Sequence, residues 1–283
     1  MDALRTVEGW PAEHVAVGLV SAQGLVAVHG DPGREFRWAS VTKPVTAVAC
    51  LVAAEEGAID LDAAAGPPGS TFRHLLAHAS GLPPGLEAPP GNPAAPGRNL
   101  GGGSPIARPG ERRIYSDHGF DVLGAALAEH AEMPFADYLR AAVIDPLGLR
   151  ARYDGRPGSG VYGSLDDLLA LGRELLAPTL VAPETLAEAT SVQFPGLVGV
   201  LPGFGRQEPN DWGLGFELRD AKSPHWTGAR NSPRTFGHFG RSGTFLWVDR
   251  EVGVALGCLT DRDFGDWAVT AWPALSDAVL AEL

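Results

Sequence analysis

The stretch FRWASVTKPVTAVACLVAAEEGAIDL, Phe36 to Leu61, decides how this chain is read. It contains Lys43, and among the 22 Lys plus Arg residues of the sequence only Lys222 is also a lysine. A buried lysine can share or lose its proton, whereas arginine stays charged at any working pH. A lysine in so arginine-rich a chain points to chemistry, and Ser40 stands three positions before it. The run VTAVACLVAAEEG reads as a helix with Gly57 as its stop. Proline is comfortable only in a first helical turn, so Pro44 confines the helix start to within a few residues of Ser40. Lys43 then lies one turn on, along the same face and within reach of Ser40 Oγ. A serine hydroxyl is a poor nucleophile until a neighbouring base takes its proton. The helix N-terminus adds N–H groups and a positive potential for the oxyanion formed on attack. A Ser and a Lys three apart also fit a capping serine beside a solvated lysine; the scarcity of lysine favours the chemical reading.

With 283 residues, 45% hydrophobic and 20% charged, the composition suits one large core or two subdomains. A net charge of −12 argues against nucleic acid or an anionic membrane surface as partner, since both need a basic footprint. The opening MDALRTVEGWPAEHVAVG lacks an apolar run of signal-peptide length, and no window approaches the roughly 18 apolar residues of a membrane span. The expectation is a cytoplasmic protein. Cys50 and Cys258 sit in apolar runs and read as core thiols. The histidines do not fall at HxxxH or HExxH spacings with a matching third ligand, and neither a metal nor an organic cofactor is expected.

HVAVGLVSAQGLVAVHG reads as a hairpin near the start of the chain, and TFLWVDREVGVALGCLT repeats the plan near its end. A last helix spans about Gly265 to Leu283, with Pro273 expected to kink it and its tryptophans expected in the core. Between the hairpins, TFRHLLAHAS, DVLGAALAEHAEMPFADYLRAAVI and SLDDLLALGRELL read as helices separated by Gly/Pro loops. Gly81 to Arg112 is too rich in Pro and Gly for regular structure and is expected beside the active site. Asp166 and Asp167 suit an exposed helix start, where carboxylates meet the dipole.

Five blocks carry a resemblance: WASVTKPVTAVACLVAAEEGAIDLD, FRHLLAHASGLP, RPGERRIYSDHGFDVLGAALAEHAEMPFADYLRAAVIDPLGL, WGLGF and FGHFGRSGTFLWVDREVGVAL. In that order they resemble the serine β-lactamase and penicillin-binding-protein superfamily. The closest likeness is to its class C-like branch, with family VIII carboxylesterases, D-aminopeptidases and some acyltransferases. The resemblance implies an α+β fold: an antiparallel sheet flanked by N- and C-terminal helices, with an inserted helical subdomain. It implies one such domain over 1–283, made of an α/β part, 1–56 plus 206–283, and a helical part, 57–205. It also implies roles. Tyr115, in YSD, matches the Tyr-x-Asn tyrosine that takes the serine proton and delivers it to the leaving group. His238 to Gly240, HFG, matches the His-x-Gly triplet lining the site, ahead of a competing register at Arg241 to Gly243. The backbone N–H of Arg241 would pair with that of Ser40 as oxyanion hole, each donor contributing roughly 2.7 to 4 kcal/mol. His74 and His78, four apart on one helical face, could suggest a metal pair, but the resemblance, whose LLxHxSGL at this place is structural, implies a core or loop-anchoring role.

Two positions depart from the pattern. The Asn of Tyr-x-Asn is Asp117, which accepts hydrogen bonds when ionised and cannot donate one to an acylamino group. It would also favour a charged Lys43 and so leave Tyr115 as the better base. His238 stands where penicillin-recognising enzymes keep a lysine. Both changes point to a serine hydrolase with an acyl-enzyme intermediate, acting on a small-molecule ester more readily than an amide. The alternatives are a β-lactamase or D-amino-acid peptidase, an acyltransferase, and a catalytically silent binding protein of the same fold.

Overall fold

The computed structural model describes residues 1–85 and 103–283. Residues 86–102, the middle of the Gly81 to Arg112 segment, lie outside the described residues.

Strands β1 (Val15–Ser21) and β2 (Gly24–His29) form the first hairpin. A short β3 (Phe36–Arg37) leads through a 3-10 turn into α1 (Thr42–Glu55). Helices α2 (Phe72–Leu76), α3 (Asp117–His130) and α4 (Phe135–Leu139) follow, the last running into a wider π turn. Strands β4 (Arg152–Tyr153) and β5 (Val161–Gly163) join β3 in a small sheet. Next come α5 (Leu165–Leu176), α6 (Pro183–Ala189) and the hairpin of β6 (Gly199–Leu201) with β7 (Gly205–Gln207). The chain closes with β8 (Glu217–Leu218), β9 (Phe236–Gly240), β10 (Thr244–Asp249), β11 (Val254–Thr260) and α7 (Asp266–Ala281).

The main sheet is antiparallel, in the order β2-β1-β11-β10-β9-β8, so the first hairpin docks on the last strand from Val15 against Thr260 to Ser21 against Val254. Both faces are covered, which is why β9, β10 and β11 are buried along their whole length. One face carries Val17, Leu19, Phe245, Trp247 and Leu256 against Trp272, Leu275 and Val279 of α7 and against Leu4 and Val7 of the N-terminal 3-10 helix. The other carries Ala16, Leu246, Ala255 and Leu259 against Leu165, Leu168 and Leu169 of α5. Glycine makes that second contact close: a Cβ on Gly18 would lie 2.6 Å from Leu169, and one on Gly257 2.9 Å from Leu168. Each leucine buried there contributes about 1.5–3 kcal/mol. Helix α5 thus lies within 57–205 in sequence and against the sheet in space.

Candidate active site

Ser40 sits in the 3-10 turn Ala39–Val41, just before α1. The residue before it, Ala39, has φ of +47°, a left-handed conformation that an alanine adopts only under constraint. The constraint comes from β9 and β10. Thr244 Oγ1 donates to the Trp38 carbonyl at 3.0 Å and Ser242 Oγ to the Arg37 carbonyl at 2.6 Å. Gly240 permits the approach, because a Cβ there would meet Trp38 O at 2.4 Å. HFG therefore ends β9 beside the Ser40 turn, while Arg241 to Gly243 forms the bend into β10, with Gly243 at φ +77°.

Lys43 is fully buried in the first turn of α1. Its Nζ donates to Ser40 Oγ at 3.3 Å, to Asp117 Oδ1 at 2.5 Å and to the Gly158 carbonyl at 3.0 Å, so all three of its donors are taken. Burial works against the ammonium, but Tyr115 and then Asp117 outweigh it and hold the Lys43 pKa above the ordinary lysine value. Burial pushes the Asp117 carboxyl up, and Lys43 more than reverses this, leaving it below the usual carboxylate range. Asp117 opens α3, whose N-cap Ser116 accepts from the Gly119 N–H.

Tyr115 Oη donates to Ser40 Oγ at 2.8 Å, and its ring lies 4.7 Å from Lys43 Nζ. Burial raises the phenol pKa, and the Lys43 charge only partly offsets it, so Tyr115 rests protonated. His238 is buried with Nδ1 donating to the Phe239 carbonyl at 2.7 Å. Burial, and after it the Lys43 charge, hold His238 down to about 3, so it is neutral. Its Nε2 has no hydrogen-bond partner among the described residues.

Ser40, Tyr115, Asp117, His238 and Arg241 all line one cavity of about 410 Å³, with Lys43 beneath its floor and Gly240 behind it. Pro84 and Gly85 also line it, so the described start of the Gly81 to Arg112 segment borders the cavity. The arrangement joins a hydroxyl, a phenol able to pass a proton and a fixed cation, which is the equipment of nucleophilic acyl transfer.

The Beta-lactamase family model matches residues 29–153 and 149–280. The chain belongs to the Beta-lactamase family. A crystal structure of a beta-lactamase from Mycobacterium bovis is 51% identical over 99% of this chain and 98% of its own, with a TM-score of 0.92. Esterase EstB of Burkholderia gladioli is 27% identical over 95% of this chain and 89% of that protein. A solved structure of EstCE1, a hydrolase with promiscuous acyltransferase activity, has a TM-score of 0.79 over 98% of this chain and 96% of its own; at 20% identity that is a likeness of fold.

Around this family member's cavity the structure adds residues to which sequence reasoning gave no role. Trp212, Glu217 and Phe264 line it as well. Glu217 is buried, pairs with Lys222, and accepts from Trp226 Nε1 at 2.8 Å, with His225 Nε2 also at 2.8 Å. Burial would raise the Glu217 carboxyl, but His225 and Lys222 outweigh it and hold it down to about 2. The scarcity of lysine was the available signal, since it applies to Lys222 as much as to Lys43; both ammonium groups are buried. His78 lies beyond the end of α2 at φ +54°, so it shares no helical face with His74. It anchors the loop before Tyr115 instead: its carbonyl accepts from Ile114 N and its Nδ1 from Ser116 N. Asp167 is buried, contrary to the exposed helix start expected of it, because it closes a capping box with Ser164.

Proposed function

We propose that this protein is a serine hydrolase that cleaves small esters through an acyl-enzyme on Ser40. The observation that carries the proposal is the Tyr115 hydroxyl 2.8 Å from Ser40 Oγ, with Lys43 Nζ 3.3 Å from the same oxygen. Ser40 Oγ attacks the ester carbonyl and a C–O bond to the serine forms. The serine proton passes to Tyr115 while Tyr115 gives its own proton to the leaving alkoxide oxygen, so an alcohol departs. Water then attacks the acyl group, a proton returns through Tyr115 to Ser40, and the acid leaves. The raised phenol pKa keeps the proton to be delivered on Tyr115 at rest, and the Lys43 charge stabilises negative charge on either oxygen in transit. Backbone N–H groups of Ser40 and Arg241 serve as the oxyanion hole, held in place by the approach that Gly240 permits.

The likeness to a protein described as a beta-lactamase, at 51% identity, favours lactam cleavage as a second reading. Against it stand Asp117, whose carboxylate is engaged by Lys43, and His238, which is neutral and donates its Nδ1 proton to a backbone carbonyl. Neither is equipped to hold an acylamino group or a substrate carboxylate, whereas a simple ester requires neither contact.

The test uses a fluorophosphonate probe and short p-nitrophenyl esters. Ser40 should be the labelled residue, and Ser40→Ala should lose both labelling and several orders of magnitude of turnover. Full turnover in that variant, or a chromogenic cephalosporin cleaved more efficiently than the esters, overturns the proposal.

A further inference from the structure

A second cavity, of about 670 Å³, adjoins the one over Ser40. Pro84, Tyr115 and Pro202 line both, so the two are neighbours at these residues. The adjacency is built into the chain. The segment that carries Ile114 along the larger cavity goes on to place Tyr115 and Asp117 in the smaller. Opposite, β6 and its flanks carry Leu197, Val198 and Val200 along the larger cavity and then Leu201 into the smaller. These two walls are joined to each other: Arg113 bridges Gly199 in parallel, Arg113 N donates to the Val198 carbonyl at 3.1 Å, and a Cβ on Gly199 would lie 2.4 Å from Arg113 O.

The wall is rigid. The buried Arg113 guanidinium donates to the carbonyls of Ala77, Gln193, Phe194 and Asn210, tying three stretches of chain to its own. Its surface is mostly apolar, with Glu111, Arg112 and Arg206 as the charged residues among its lining, and Val200 remains 60% exposed along it. A preformed apolar groove of this size buries a ligand without first having to be ordered.

We propose that this cleft takes the alcohol arm of the substrate, and that the arm is an extended apolar group. The assignment rests on the serine-hydrolase reading and on the place of Tyr115. In that reading Tyr115 hands its proton to the departing alkoxide oxygen, so the alcohol leaves on the side of the phenol, and of the three residues shared by the two cavities Tyr115 is the one that carries chemistry. The acyl group stays in the smaller cavity with His238 and Trp212. The substrate class is thus the ester of a medium-length, unbranched apolar alcohol.

The test measures kcat/KM by acid release for ethyl, butyl, hexyl and octyl acetate, with fluorophosphonate labelling of Ser40 run beside it. Wild type should gain at least tenfold from ethyl to octyl acetate, since each methylene entering the cleft leaves water. Val200→Trp, a change at an exposed strand position, should cut the octyl-to-ethyl ratio below threefold. A flat wild-type series, or a ratio that Val200→Trp does not move, overturns the assignment of the cleft while leaving the hydrolase reading intact. The wild-type series decides even where the variant fails to fold. Absence of turnover with every ester and of labelling at Ser40 overturns the hydrolase reading, and this inference with it.

Discussion

The Tyr115 hydroxyl and the Ser40 hydroxyl are 2.8 Å apart although 75 residues separate them in the chain. Phenylalanine fills the same space without the oxygen. Tyr115→Phe should therefore keep the fold and thermal midpoint nearly unchanged while lowering ester kcat/KM by about 10²–10⁴, the usual contribution of a positioned acid or base. Steady-state kinetics beside a melting curve check this; activity within a few-fold of wild type would remove Tyr115 from the proton path.

Lys43 has no room to become arginine. A Cβ on Gly158 would sit 3.2 Å from its Nζ, and the side chain is fully enclosed. Lys43→Arg keeps the charge but needs a planar fork where the structure offers a point, so it should be nearly as inactive as Lys43→Ala. Near-normal rates in the arginine variant would show that any cation serves.

Asp117→Asn bears on both selectivity and pH. The carboxylate helps to hold the Lys43 pKa up against burial, so its loss should lower that pKa and move the alkaline fall of ester kcat/KM to lower pH. The new amide also offers a donor to an acylamino group, which is worth about 1–3 kcal/mol when the partner is otherwise unpaired. The ratio of cephalosporin to ester kcat/KM should rise accordingly. A ratio and a pH limb that both stay put would place selectivity elsewhere in the cavity.

The short-range part of this geometry is legible in the sequence because it is set by spacing. Three residues at a helix start bring Lys43 to Ser40, and alternating apolar runs give the two hairpins, β1–β2 at one end of the sheet and β10–β11 at its middle. What stayed hidden joins distant stretches. The Gly158 carbonyl that completes the Lys43 shell lies 115 positions on, and no pattern near either residue announces it. Glu217 reads as an unremarked strand residue until folding sets Lys222, His225 and Trp226 around it. Asp167 was misjudged as exposed because a capping box looks the same in sequence whether its helix faces solvent or lies on a sheet.

Glu217 should govern part of the acid sensitivity. Its folded pKa of about 2 is below its ordinary value of 4.5, so the ionised carboxylate adds stability that is complete above about pH 4.5 and is lost as pH falls towards 2. That difference corresponds to about 3 kcal/mol. Glu217→Gln should be less stable at pH 7, where it strands the Lys222 charge, yet lose less on going from pH 4.5 to 3 than wild type does. Denaturant titrations of both proteins at pH 7, 4.5 and 3 test this, and parallel acid losses would show that the carboxylate is not the group responsible.

The burial of both lysines has a practical side. Amine-directed reagents such as succinimidyl esters, aldehyde fixatives and reductive-methylation mixtures find no lysine side chain on the folded surface, because every exposed cationic side chain there is an arginine or a histidine. Lysine modification then becomes a clock for opening. Tagging at Lys222 reports that the Glu217 cluster has come apart, and tagging at Lys43 that the floor under Ser40 has, so two mass shifts from one sample time the loosening of two separate places in the protein.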